Sequence, residues 1–253
     1  MKMHILSGGR LRMRRGVYVA GAEKHETIDL PVACYLLRHP QGNVLFDTGC
    51  HPSTETDPEG RWGAMSRAMT VLSGPGDNLI TNLESVGLQP EDIDVVVNSH
   101  FHTDHCGCNA FFRKATFICH AHELEAASQE NADKVGYLSI DWKLPMPMET
   151  IDGQRDLFND GRIVLLPLPG HTPGMTGALV ALDRSGQHLL TSDAVALRHS
   201  LDTDTNPRNT WDHEQALRSM AEVRRIEAGG ATVLFGHDDA QWQTLRRGQE
   251  HYD

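Results

Sequence analysis

Residues 98–107 read NSHFHTDHCG, a stretch that is dense in ionisable side chains. It directly follows the apolar run DVVV at 94–97, which predicts a buried strand. Three imidazoles and one carboxylate then fall within six residues, at His100, His102, Asp104 and His105. So many ionisable groups are costly to assemble unless a cation binds there, and zinc accepts both imidazole nitrogen and carboxylate oxygen. The stretch therefore predicts a metal site.

The spacing within this stretch indicates more than one ion. His100 and His102 are two residues apart in an extended segment, so their side chains point to the same side. Asp104 and His105 follow after the chain turns and can face a second ion. Because these ligands are too few for two metals, other parts of the chain must supply the rest.

Three further metal-competent side chains each follow an apolar run. His171 lies in PGHTPG (169–174) after RIVLLPL, Asp193 follows the pair Leu189-Leu190, and His237 follows TVLF (232–235). Loops at strand ends commonly carry functional groups on a rigid scaffold. We therefore expect these side chains to converge with the histidine cluster.

The remaining pattern predicts sheets covered by helices in a single domain, 1–253. Pro31–Leu37 and Asn43–Phe46 flank a turn at Gly42 and predict a hairpin, and 177–182 predicts a further strand. Helices are predicted over Asp77–Val86, Ala121–Gln129 and Asp212–Ala228, the last capped by Asp212.

Segments Cys50–Gly76 and Asp133–Thr150 fit neither pattern. Long loops or short helices that roof a pocket are one interpretation, and packing on the body or on a second subunit is the other. Trp62, Met65 and Met69 are accordingly candidates either for a substrate-chain pocket or for plain packing.

Composition limits the classes of function. The formal net charge is −11 and no basic stripe is present, which argues against nucleic acid as a partner. No apolar run is long enough to span a bilayer, so no membrane partner is expected, and 1–16 does not read as a secretory signal. Five scattered cysteines favour reduced thiols and a cytoplasmic location, with Cys106 and Cys108 as packing residues rather than zinc ligands.

With these motifs in place, the chain resembles the metallo-β-lactamase superfamily and its HxHxDH signature. Within that superfamily it is most similar to the N-acyl-homoserine lactonases, the quorum-quenching lactonases. The resemblance rests on LPVACYLL (30–37), LFDTG (45–49), NSHFHTDHCG (98–107), GHTPG (170–174), SDA (192–194) and FGHD (235–238). It implies an α+β fold, an αβ/βα sandwich of two mixed β-sheets flanked by helices.

The resemblance also implies a ligand scheme with two zinc ions per chain. His100, His102 and His171 would hold the first, Asp104, His105 and His237 the second, and Asp193 would bridge both. Asp47 would support the metal-binding loop without coordinating. Such a donor set also accepts Mn, Co or Fe.

The implied activity is metal-dependent opening of a lactone ring, with N-acyl-homoserine lactones as the leading substrates. A hydroxide bridging the two zinc ions would attack the carbonyl, and Asp104 would shuttle the proton. Hydrolysis of another ester, of a thioester as in glyoxalase II, or of a phosphodiester is the alternative, and a non-catalytic metal-binding sensor is the alternative of another class. The resemblance further favours a homodimer built with Cys50–Gly76.

Two positions depart from the lactonase pattern. Those enzymes often carry a tyrosine three residues after the bridging aspartate, whereas this chain has Ala196. Another donor, the zinc alone or a different substrate would account for the change. Cys108 stands where a second glycine often follows the signature.

Overall fold

Two β-sheets packed face to face form the body of the protein, and the computed structural model describes all 253 residues. The strands are β1 (Lys2–Arg14), β2 (Thr27–His39), β3 (Gly42–Phe46), β4 (Thr70–Val71), β5 (Val95–Val97), β6 (Thr116–His120), β7 (Met148–Ile151), β8 (Arg155–Asp156), β9 (Ile163–Pro167), β10 (Thr176–Leu182), β11 (Gly186–Ser192) and β12 (Thr232–Phe235). The α-helices are α1 (Pro58–Trp62), α2 (Leu79–Ser85), α3 (Thr103–Cys106), α4 (Ala121–Ala127), α5 (Ser139–Trp142), α6 (Arg198–Thr203), α7 (His213–Ala228) and α8 (Asp239–Trp242).

Both sheets are mixed. The seven-stranded sheet runs β4-β1-β2-β3-β5-β6-β7, and its strands β3, β5, β6 and β7 are parallel to one another. The five-stranded sheet runs β12-β11-β10-β9-β8, with β11 and β12 parallel and the others antiparallel. Parallel neighbours place their carboxyl ends at one edge, so the loops after them lie close together.

Helices cover the outer face of each sheet. The core between the sheets joins side chains such as Ile5 and Phe46 from one sheet to Leu165 and Val180 from the other. Leu79 and Leu83 of α2 cover the outside of the larger sheet, and Met220 and Val223 of α7 cover the smaller one. This is the sandwich with flanking helices that the sequence predicted.

Several local predictions are confirmed. β2 and β3 form the expected hairpin, and Asp212 caps α7 by accepting from the backbone N–H groups of Glu214 and Gln215. The helix predicted to run to Gln129 ends at Ala127, and the one predicted over Asp77–Val86 spans Leu79–Ser85.

Strand β1 was not predicted. Its 13 residues interleave arginines with apolar side chains and shift register between Ser7 and Arg10. The shift lies next to Gly8, where an added Cβ would approach the Cα of Gly49 to 2.7 Å. Glycine at this position lets β1 pass directly beside the loop that follows β3.

No helix in the structure combines the length and the apolar character that a membrane crossing needs.

Candidate functional site

The predicted metal-ligating side chains meet at one end of the sandwich. His100, His102, Asp104 and His105 follow β5, and the last two belong to the short helix α3. His171 follows β9, Asp193 follows β11 and His237 follows β12. Residues from both sheets therefore converge, although 137 positions separate His100 from His237 in the chain.

The donor atoms form three overlapping groups, each with its atoms within 4.8 Å of one another. These groups are His100–His102–His171, His100–His105–Asp193 and Asp104–His105–His237. The first and third contain the same residues as the two ligand sets that the family resemblance implies, and the second links them.

The two carboxylate oxygens of Asp193 face different histidines. Oδ1 lies 2.8 Å from His237 Nε2 and 3.5 Å from His105 Nε2. Oδ2 lies 3.3 Å from His171 Nε2. A carboxylate oriented in this way can contact two cations at once.

Asp47 lies beneath the cluster and is 1% exposed. Its Oδ1 accepts from the Ser99 backbone N–H at 2.7 Å, and its Oδ2 accepts from the hydroxyls of Ser99 at 2.8 Å and Ser192 at 3.0 Å. His105 Nδ1 lies 2.9 Å from the same Oδ2. Asp47 therefore fixes the ring of His105 and the loops after β5 and β11 without reaching the donor groups.

The Nδ1 atoms of His237 and His100 also lie within hydrogen-bond distance of oxygen atoms. His237 Nδ1 lies 2.9 Å from the Pro31 carbonyl oxygen, and His100 Nδ1 lies 2.9 Å from Ser99 Oγ. An imidazole that donates through Nδ1 keeps a lone pair on Nε2 for a metal. The Nε2 atoms of His100 and His105 are buried and form no hydrogen bond, and the buried Nε2 of His237 has only the carboxylate of Asp193 beside it.

The electrostatics divide the histidines into two groups. Burial lowers the pKa values of His100, His102 and His171, and that of His102 falls to about 3. Burial therefore favours the neutral form of these imidazoles, which is the form that binds a metal.

The pKa values of the two histidines close to the carboxylates, His105 and His237, are raised instead. Burial alone would lower the pKa of His105, but Asp104, Asp193 and Asp47 outweigh it and raise the pKa to about 10. The pKa of His237 is raised in the same way, with Asp193 as its principal carboxylate partner. The buried carboxylates thus favour positive charge at these two rings, which a divalent cation can also supply.

The residues therefore fit a metal centre. Imidazole and carboxylate donors are the set that zinc accepts, the unpaired Nε2 atoms are buried, and the local charge calls for a cation. Free Cys106 and Cys108 take another role, because their sulfurs donate to the carbonyls of Phe101 and Cys50.

Backbone strain accompanies the site. Asp47 and Ser192 adopt positive φ values of 60° and 45°, which are unfavourable for residues other than glycine. In these conformations the Ser192 hydroxyl donates to Asp47 Oδ2. Both side chains also lie within hydrogen-bond distance of His105 Nδ1.

The two unassigned segments are ordered and contact the signature. Cys50–Gly76 contains α1 and two short 3-10 helices, and 133–150 contains α5. Trp62 Nε1 donates to Thr103 Oγ1 at 2.8 Å, and Thr103 donates to Asp141 Oδ2 at 2.6 Å. Asp141 also pairs with Arg61. A buried network thus ties both segments to the residue between His102 and Asp104.

These segments roof a cavity of about 350 Å³ beside the donor groups. Met13, Met65 and Met69 line its apolar side, and His102, Asp104 and Asp193 line its polar side. Of the candidates for a substrate-chain pocket, Met65 and Met69 line the cavity, whereas Trp62 is 2% exposed and packs in the apolar cluster behind it. A second cavity of about 510 Å³ adjoins it and shares His102, Val135 and Asn209.

Sequence reasoning missed several residues that shape the site. Glu123 on α4 is fully buried and accepts from the backbone N–H groups of Phe101 and Gly174, both at 3.0 Å. It thereby joins the loop of His100 and His102 to the loop of His171. An isolated glutamate in an amphipathic helix gives no signal of this role, and Ser99 and Ser192 were recognisable only by their adjacency to ligands.

The fold and the site define the class of this protein. Residues 27–237 match the model of the metallo-beta-lactamase superfamily, and the chain belongs to that superfamily.

Within this superfamily, the chain is similar over its full length to several lactonases. The chain is 28% identical to the N-acyl homoserine lactonase AttM of Azorhizobium caulinodans, over 100% of this chain and 99% of the relative. It is 30% identical to an N-acyl homoserine lactonase of a Bacillus species, over 95% of this chain and 94% of the relative. Among solved structures, it superposes with a TM-score of 0.89 and 26% identity on an N-acyl homoserine lactone hydrolase that holds the product N-hexanoyl-L-homoserine at its catalytic metal center, covering 99% of this chain and 98% of that one.

Proposed function

We propose that this protein is a metal-dependent hydrolase that opens the lactone ring of N-acyl homoserine lactones. The observation on which the proposal depends is that the buried His/Asp donor cluster opens into a cavity that is also lined by methionines. The full-length likeness to lactonases selects the lactone from among the esters that such a site can accept.

In this proposal His100, His102 and His171 would hold one zinc ion, Asp104, His105 and His237 would hold a second, and Asp193 would supply a carboxylate to both sets. Bound there, the ions would supply Lewis-acid polarisation of the carbonyl and would lower the pKa of water. Asp47, Ser99 and Pro31 keep the imidazoles in the orientation and tautomer that ligation needs.

The chain's own groups account for binding and proton movement. The methionine wall of the cavity accommodates the acyl chain and excludes water from it. Asp104 Oδ2 lies 3.5 Å from His105 Nε2 and 3.6 Å from His237 Nε2, and its side chain is 14% exposed toward the cavity. These contacts and its partial exposure support the proposal that Asp104 accepts the proton of the attacking water and returns it to the ring oxygen as the C–O bond breaks. The product is the N-acyl homoserine.

The test is a substrate panel on the zinc-loaded protein, in which acid release is followed from lactones of several chain lengths. A simple ester, a thioester and a phosphodiester are included as competitors. We expect the lactones to give the highest kcat/KM, and a thioester or phosphodiester that exceeds every lactone would reject the proposal.

The His102→Ala variant tests the site itself. Because it removes a metal ligand, activity should fall at least ~100-fold. His25→Ala is the matched control, since that side chain is 80% exposed and belongs to none of the donor groups. Wild-type turnover by His102→Ala would contradict the ligand assignment.

A further inference from the structure

Tyr18 occupies the wall of the cavity beside the donor cluster. It follows the 3-10 turn Arg15–Val17, is 5% exposed, and lines the cavity together with Asp104 and Asp193. Its ring belongs to the same buried cluster as Met69 and Ala196. A residue from the amino-terminal part of the chain therefore reaches the centre built by residues 100–237.

Among the buried polar groups that line this cavity, the Tyr18 hydroxyl has the weakest existing hydrogen bond. Its hydrogen bond goes to Met13 Sδ at 3.6 Å, and a thioether is a weak acceptor. Thr103 has already donated its hydroxyl hydrogen to Asp141 at 2.6 Å. Lys134 and Asn209 also line the cavity, but both are exposed to solvent.

The surroundings keep this phenol in its donor form. Burial raises the pKa of Tyr18 well above that of an ordinary tyrosine, and the charges of Asp193 and Asp104 act in the same direction. The group stays protonated throughout the pH range in which an esterase works, so it can donate but cannot carry a competing negative charge.

Hydrolysis of an ester places a developing negative charge on the carbonyl oxygen, and fixed donors aimed at that oxygen lower the barrier. The turn after β11 offers no neutral donor side chain there, because Ala196, which shares a buried apolar cluster with Tyr18, carries only a methyl group and is 1% exposed. Tyr18 is the buried side chain with a proton to donate.

We propose that the Tyr18 hydroxyl donates a hydrogen bond to the carbonyl oxygen of the bound substrate and strengthens that bond as the oxygen becomes negative. The inference rests on the proposed function, because it requires a carbonyl substrate in this cavity. It assigns a catalytic role to a residue outside every motif of the signature. The Met13 thioether is the resting acceptor that the substrate replaces.

The kinetic test compares Tyr18→Phe with wild type on the best substrate of the panel. The substitution keeps the ring and its packing and removes only the hydroxyl. We expect kcat/KM to fall about 10- to 100-fold, mainly through kcat, with zinc content unchanged. Tyr35→Phe is the matched control, because Tyr35 is a buried phenol in the core between the sheets, away from the cavity. A Tyr18→Phe enzyme within twofold of wild type, or a loss confined to KM, would overturn the inference.

A second measurement does not depend on turnover. The probe is an N-hexanoyl γ-lactam, the amide analogue of the lactone, carrying ¹³C at its ring carbonyl and bound to the zinc-loaded protein. Loss of a hydrogen bond in Tyr18→Phe should move the carbonyl stretch to higher frequency in the infrared difference spectrum, whereas Tyr35→Phe should not. Identical spectra for wild type and Tyr18→Phe would overturn the inference. Failure of the wild type to open any lactone would instead reject the proposed function, so the two outcomes are distinguishable.

Discussion

Replacing Asp47 by asparagine isolates the contribution of a residue that supports the donor cluster without joining it. Asparagine retains an oxygen for the Ser99 backbone N–H but places an NH₂ group where Oδ2 now accepts from three partners. The hydroxyls of Ser99 and Ser192 can rotate and accept from that NH₂ group. The Nδ1–H of His105, at 2.9 Å, cannot.

The magnitude follows from that one contact. A hydrogen bond to a charged group contributes about 1.5–3 kcal/mol, and the alternative is a tautomer with its proton on Nε2, the atom that faces Asp104 and Asp193. Since each ~1.4 kcal/mol corresponds to a factor of ten, zinc affinity should fall about 10- to 100-fold.

The assay is competition for zinc between the protein and a chelator of known affinity. Asp94→Asn is the control, because Asp94 accepts from the Asn43 backbone N–H at the opposite end of β3 and should bind zinc as wild type does. Zinc affinity of Asp47→Asn within twofold of wild type would refute the reasoning about His105.

Three further results are expected. Because carboxylates raise the pKa of His105 from 6.5 to about 10, its proton stabilises the metal-free fold fully below pH 6.5, and this stabilisation is lost as the pH rises toward 10. Thermal unfolding of the metal-free protein should show this loss, and zinc should remove it. Gly170→Ala should destabilise the fold by about 1–3 kcal/mol or more in urea unfolding, because φ is +143° and the new Cβ would lie 2.4 Å from backbone of α7. Asp141→Asn should cost about 3–5 kcal/mol in the same assay, because it leaves the Arg61 charge without its buried partner.

A control variant accompanies each of these three predictions. His105→Ala should reduce the pH-dependent loss in the metal-free protein, with the raised pKa of His237 accounting for the part that remains, and an unchanged profile would contradict the assignment to His105. Gly16→Ala should change stability by less than about 0.5 kcal/mol, since the nearest atom to its Cβ is 3.8 Å away. Asp202→Asn breaks an exposed pair with Arg198 and should cost less than about 1 kcal/mol. Equal costs for the buried and exposed aspartates would contradict the importance given to burial.

Several strands and helices were predictable because their sequence patterns depend only on neighbouring residues. The hairpin at Gly42, the buried run before His100 and the capped helix after Asp212 each depend on neighbouring residues, and the structure has all three. β1 was missed because Gly8 and Gly9 interrupt it, although Arg10–Arg14 alternate polar and apolar residues as a strand does. Its pairing along β2 compensates for that weak local pattern.

The sequence alone determined which donor atoms are available, since imidazole and carboxylate groups after apolar runs are visible without coordinates. Only the tertiary structure decided which donors share a cation, how the two oxygens of Asp193 divide between histidines, and that Tyr18 and Glu123 reach the same region. The physical reason is that donor chemistry belongs to each residue, whereas orientation, tautomer and burial depend on contacts from segments that lie 22 to 206 residues away in the chain. Pairing of the two sheets brings those segments together, and no local pattern encodes it.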